Sequence, residues 1–289
     1  MNDDMLYEDR MSDADALMWN IEKDPALRST ITAVFTFDRA IDRDILTHRF
    51  ERLSRVIPRL RQRVRSNPLS AAPPRWETDP YFDLGFHLWW VKAPGRATMR
   101  DLLSIAEPVA MSGFDRARPL WRAVVVEGLP GKKSALIMKV HHAITDGVGG
   151  MRLQLELLDM EPDAPEREMP PEPTIHVMSQ PERFADALDH QTRHQLGLAR
   201  RLANGVLGSA ASALTDPIGT LAAGSELASS VGRVLRPASH PMSPLMVGRS
   251  LSSRFDTITV PLDGAKAAAK VAGGKLNEMT TRELVRLME

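Results

Sequence analysis

WRAVVVEGLPGKKSALIMKVHH, residues 121–142, is the stretch on which the fold turns. Two β-rich runs, WRAVVVEGL and SALIMKVHH, flank the turn-forming PGKK, the pattern of an antiparallel hairpin. Side chains alternate across a strand, so Leu136, Met138, Val140 and His142 share one face while Ala135, Ile137, Lys139 and His141 share the other. The two adjacent histidines therefore diverge. One ring is free to face a cleft while the other is held inside. Divergence also argues against both binding one metal, and no HExxH spacing occurs in the chain.

Outward from the hairpin, strands and helices are mixed. Before it, STITAVFTFD alternates, with Ile31, Ala33, Phe35 and Phe37 on one face, and reads as a strand. DRDILTHRFERLSRVI places Leu46, Phe50, Leu53 and Ile57 at helical spacing and ends at Pro58. Ser12 is an N-cap candidate for DADALMW. PRLRQRVRS reads as an extended segment with Arg59, Arg61, Arg63 and Arg65 on one side, a solvated strand face or an attractor for anions. Phe82 to Val91 is aromatic and strand-like, and TMRDLLSIAEPVAM is a helix disturbed by Pro108. After the hairpin a helix is expected over roughly MRLQLELLDM. The mixture predicts a layered α/β domain with a mixed, partly antiparallel sheet and flanking helices.

The rest of the chain divides by composition. Residues 1–160 form the first domain. Residues 161–181 are proline-rich and acidic, a linker. Residues 182–241 read as a helical connection, with Leu198, Leu202 and Val206 on one stripe and Leu227, Val231 and Val234 on another. Residues 242–289 begin a second domain, with a strand at SSRFDTITVPLD and a helix at GAKAAAKVAGG, and this domain is expected to be incomplete.

Bulk properties exclude several functions. Lys plus Arg and Asp plus Glu both number 37 among 289 residues, so no global basic surface points to nucleic acid. Cysteine is absent, which removes disulfides, thiolate nucleophiles and Cys-ligated zinc and fits a reducing cytosol. No apolar run approaches the ~18 residues that span a bilayer, and no secretory signal is read at the N-terminus. No GxSxG elbow argues for a serine hydrolase. GLPGKKS lacks phosphate-loop spacing.

In HHAITDG (141–147), a neutral imidazole is suited to take a proton from a hydroxyl near pH 7. Asp146 either orients a ring or ties the turn to an arginine, and Gly147, Gly149 and Gly150 allow a tight turn. A pair of ordinary strand-end histidines would look the same. The motif, however, matches the HHxxxDG signature of the chloramphenicol acetyltransferase and condensation-domain superfamily. SDADALMW, PRLRQRV, PRWETDPYFDLGFHL, FDRARPLWRAVVVEGL and SPLMVGRSLSSRFDTITVPLDGAKAAAKVAGG resemble, in order from about residue 11 to about 277, the bacterial wax ester synthase/diacylglycerol acyltransferase family.

That resemblance implies a chloramphenicol acetyltransferase-like fold and an acyl-CoA-dependent O-acyltransferase. His142 is the implied general base, His141 and Asp146 hold the site, and Gly147 allows tight packing. The product is triacylglycerol from diacylglycerol, or wax ester from fatty alcohol. No bound cofactor, metal or covalent acyl-enzyme is implied; acyl-CoA is a co-substrate. Pro119-Leu120-Trp121 is a family mark, structural or tunnel-lining. A cytoplasmic location, peripheral on the inner membrane face or on lipid droplets, is the expectation, as is a second chain completing the site. The alternative is a catalytically inactive or partner-dependent half domain that retains lipid or acyl-CoA binding.

Overall fold

In the computed structural model the described residues are 9–67, 72–145, 147–159, 161, 164–193, 195–196, 250–257, 259, 261–271 and 274. Two compact units are distinguished, Met1–Ser253 and Arg254–Glu289. The first is built on a four-stranded mixed sheet. Its strands are β1 (Thr30–Phe37), β4 (Leu88–Lys92), β5 (Trp121–Leu129) and β6 (Lys133–His141), in the order β1-β6-β5-β4. β4 runs parallel to β5, and the other pairs are antiparallel. A separate hairpin joins β2 (Gln62–Arg65) to β3 (Arg75–Thr78).

The hairpin β5-β6 is as the sequence predicts. Its turn is a short 3-10 segment, Pro130–Lys132, with Gly131 at φ 75°, a left-handed conformation that suits glycine. The sheet is covered on both faces, so β6 is buried from Ser134 to His141. On one face Leu136, Met138 and Val140 join Trp121, Ala123 and Val125 in the main core, with Phe50 and Leu53 of helix α2 (Arg43–Val56). On the other lie Ala135 and Ile137, with Val124 and Val126. Helix α4 (Met99–Met111) packs there on β1 and β6 and buries Leu102, Leu103 and Ala106.

The termini of the helices follow their sequence signals. Ser12 caps α1 (Asp13–Ile21), its Oγ accepting from the Asp15 amide at 3.1 Å. Asp42 caps α2, and Thr98 with Asp101 forms a capping box on α4. Helix α4 runs through Pro108 without a break, because its last turn closes by Ser112 N–H donating to the Pro108 carbonyl.

Several expectations are corrected. Phe82 to Val91 is not one strand: α3 (Leu84–His87), capped by Asp83, precedes β4. The helix after the histidines, α5 (Gly147–Leu157), starts at Gly147 rather than near Met151, so the glycines lie in its first turns. The arginine row is not one continuous strand face, and only Arg65 keeps a substantially exposed side chain. Pro58–Leu60 is a 3-10 turn, Arg59 is buried with its guanidinium 4.6 Å from the Trp76 ring, and Arg61 lies over Phe82 and pairs with Glu51. Arg63 and Arg65 stand 3.7 Å from the buried carboxylates of Asp79 and Glu77. Period-two charge on a strand is compatible with a wet face or with an ionic layer, and here a helix covers it.

That helix, α6 (residues 180–193), is seated on the hairpin by charge. Asp186 pairs with Arg10 at 2.5 Å and Arg75 at 2.8 Å, and Arg183 lies 3.6 Å from Glu77. The proline-rich segment before it is strapped onto α2: Arg52 donates to the Glu168 carbonyl and Arg55 to that of Pro170. The apolar stripes expected over 198–234 lie outside the described residues. In the second unit, α7 (Leu262–Val271) forms as predicted. Of the segment expected as a strand, 252–257 has no regular structure, and residues 258 and 260 lie outside the described residues. Among the described residues, no helix is long and apolar enough to cross a membrane.

Candidate active site at the end of strand β6

His141 is the last residue of β6, and the two histidine amides leave the strand in opposite directions. The His141 N–H donates to the Leu120 carbonyl beside β5 at 3.0 Å, and the His142 N–H donates to the Ser29 carbonyl beside β1 at 2.8 Å. The chain then turns: Ile144 N–H donates to the His141 carbonyl and Thr145 N–H to that of His142. Both residues are thus clamped by neighbouring strands before α5 begins.

The side chains separate as alternation demands. The His141 ring is buried, 1% exposed, while His142 in the turn is half-buried. His141 packs edge-on to Trp19, with centroids 5.7 Å apart. Its Nδ1 accepts from the Ala143 amide at 3.0 Å. That bond assigns the proton to Nε2, which stands 2.8 Å from Glu22 Oε1. The N–H bond points off the line to the oxygen, so the contact is bent.

Glu22 is the residue that sequence reading did not single out. It is the C-cap of α1, and Oε1 also accepts from the Ser29 amide at 2.6 Å. Burial opposes its charge, but the facing His141 ring and the Ser29 amide, with the charge of Arg116, outweigh burial and hold the carboxyl below its ordinary value. One carboxylate therefore holds the His141 ring and the Ser29 backbone that receives His142. An acidic residue just after a capped helix was the available signal; nothing in the sequence tied it to residue 141.

Beneath His141 on the same face is Lys139, also 1% exposed. Its Nζ donates to the Ser112 carbonyl and lies 4.5 Å from the Phe114 ring. Burial, then the charges of Arg28 and Arg122, lower its pKa to about 8. Trp121 is core: its Nε1 donates to the Leu60 carbonyl, and its ring stacks between Phe50 and His87. His87 is wholly buried, its Nδ1 2.8 Å from the Trp121 carbonyl, and burial pushes its pKa down to about 4. Trp89 is 42% exposed, with the Arg122 guanidinium 3.9 Å from its ring. Asp146 lies outside the described residues, and Gly147 begins α5. Among the described residues, no group of three or more His, Asp or Glu is placed to hold a metal ion.

Two cavities, of about 410 and 460 Å³, lie elsewhere. The first is lined by the paired charges between α2 and the strap, such as Arg49, Arg52 and Glu156. The second adjoins Ser134 at the far end of β6, roughly 23 Å along the strand from His141.

Residues 11–280 match the family model of the wax ester synthase/diacylglycerol acyltransferase catalytic domain. The chain belongs to this family. A Mycobacterium tuberculosis protein named as a diacylglycerol O-acyltransferase is 37% identical over 270 residues, which is 93% of this chain and 55% of that protein. Another from the same organism, similarly named, is 30% identical over 283 residues, 93% of this chain and 56% of its own length. This member of the wax ester synthase/diacylglycerol acyltransferase family thus spans about half the length of the curated relatives it matches. A solved wax ester synthase/diacylglycerol acyltransferase from Marinobacter aquaeolei VT8 is 27% identical, with a TM-score of 0.45 over 56% of this chain and 41% of that one.

Proposed function

We propose that this chain carries the acyl-transfer site of an acyl-CoA-dependent O-acyltransferase that makes triacylglycerol from diacylglycerol, wax ester from a fatty alcohol, or both. His142 is the general base. The observation that carries this reading is the unequal environment of the two histidines, one buried against Glu22 and the other half-open on a turn clamped to both neighbouring strands.

The chemistry needs one proton acceptor. The His142 imidazole takes the hydroxyl proton as the alcohol oxygen attacks the thioester carbonyl. The C–S bond breaks, the ester forms, and the departing thiolate takes the proton back from the imidazolium. No metal and no acyl-enzyme enter. His141 is a positioning residue, Asp146 orients the turn, and Gly147 gives α5 a start without a side chain. The names of the family and of its mycobacterial relatives support the substrate class.

The test offers long-chain acyl-CoA with diacylglycerol and, separately, with a fatty alcohol, and reads lipid products by mass spectrometry. Ester formation by the 289-residue chain, reduced on the order of 10²-fold or more in His142→Ala, is the expected result. A folded chain that forms no ester sinks the stand-alone activity and favours the partner-dependent half domain.

A further inference from the structure

β1 is an edge of the sheet, and the register with β6 shows which of its backbone groups are spoken for. The His142 N–H donates to the Ser29 carbonyl, so 29 and 142 form a hydrogen-bonded pair. In an antiparallel ladder such pairs recur every second residue, which places Ile31, Ala33, Phe35 and Phe37 in the remaining pairs with β6. The N–H and C=O groups of Thr30, Thr32, Val34 and Thr36 therefore point away from the sheet. Among the described residues, β1 pairs with no strand other than β6.

This edge lacks the usual protections. From Ser29 to Phe37 there is no charged residue, proline or glycine, the features that natural edges use to prevent strand addition. Charge is placed only at its ends, Arg28 before the strand and Asp38 after it. Both are even-numbered, in step with the outward-pointing residues of the strand. Among the described residues, Asp38 makes an exposed 3.5 Å contact with Arg39. The exposed Arg28 uses one nitrogen on the Met111 carbonyl.

We propose that this edge is the interface for a second copy of the chain, joined β1 to β1 in antiparallel register about a two-fold axis beside Ala33. Val34 then faces Thr32 of the second copy, and Thr30 faces Thr36. This is the symmetric register in which all four outward residues pair through their outward-pointing backbone groups. The same register sets Arg28 opposite Asp38 of the second copy, twice. Ile31, 36% exposed, meets Phe35 across the join, and the two Ala33 residues face each other. The result is one continuous sheet of eight strands. The strand is self-complementary in backbone, shape and charge, which selects a like partner over an unrelated one. This proposal is independent of the acyl-transfer reading.

Analytical ultracentrifugation of the 289-residue chain tests it. A concentration-dependent dimer is expected. Val34→Pro removes an outward donor and no β6 hydrogen bond, as an edge strand tolerates, and should give a folded monomer. Asp38→Arg should weaken the dimer roughly tenfold, and the double variant Arg28→Asp with Asp38→Arg should restore it. Hydrogen exchange should slow at the amides of Thr30, Thr32, Val34 and Thr36 as the dimer forms, a readout that stands even where Val34→Pro fails to fold. A monomer at all concentrations overturns the proposal. So does a dimer indifferent to Asp38→Arg whose four amides exchange as in the monomer.

Discussion

Glu22 has no proton to move in acyl transfer, yet it is bound at once to the His141 ring and to the backbone that receives His142. Glu22→Gln keeps the shape, and its Oε1 still accepts from the Ser29 amide, but it loses the charge facing Nε2–H. The expected result is a fall in kcat of roughly tenfold with KM little changed, measured by steady-state acyl transfer. His87 gives a prediction in pH. Its pKa is about 4 in the fold against about 6.5 in the unfolded chain. As pH falls through 6.5 the unfolded chain takes up a proton that the buried ring refuses. Stability from this group is therefore complete above pH 6.5 and is lost between 6.5 and 4, by on the order of 3 kcal/mol. Urea denaturation across that window should show the slope, and His87→Gln, which does not titrate, should flatten it. The divergence of His141 and His142 was legible from alternation alone. The role of Glu22 was not, since it depends on the end of α1 meeting the end of β6.

Among the elements, the arginine-rich hairpin shows where pattern reading stops. Arg63 and Arg65 alternate as a wet face would, and their carboxylates are Glu77 on the paired strand and Asp79 just past its end. Whether such a layer meets water or a helix is settled by what packs on it. Here α6 does, through Arg183 and Asp186. Glu77 is 4% exposed, and its carboxylate answers Arg65 and Arg183 at 3.6 to 3.7 Å. Removing the carboxylate leaves the largely covered Arg183 and the more exposed Arg65 without it, so Glu77→Ala should cost on the order of 1 kcal/mol, read as a lower denaturation midpoint, with protease cutting appearing first near 180–193. The start of α5 at Gly147 likewise escaped propensity, because glycine is a poor helix former. The turn at 142–145, closed by two backbone hydrogen bonds, delivers the chain already in position for the helix.

At the scale of the molecule, the described first unit is a sheet covered on both faces, with β1 and β4 as its edge strands. Main-core residues Phe50, Trp121 and Leu136 are each at most 1% exposed. Trp121 also holds the stack of Phe50 and His87 and the Leu60 carbonyl, so Trp121→Ala should cost about 3–5 kcal/mol and fold poorly at 37 °C. Of the two edge strands, β1 is eight residues long and carries no charge, which leaves it open to strand addition.

Local chemistry on consecutive residues was enough to specify the hairpin, the capped helices α1, α2 and α4, the mixed α/β class and the histidine pair with its opposed faces. Period, turn residues and caps act over a few positions, and those signals are present in the order of residues itself. Tertiary structure alone decided that Glu22 secures His141 and that most of the arginine row is covered and paired with carboxylates rather than left in solvent. Each of these depends on a partner distant in the chain. A carboxylate, a guanidinium or a β-prone run has no fixed state until burial and pairing set its electrostatic cost and its hydrogen bonds.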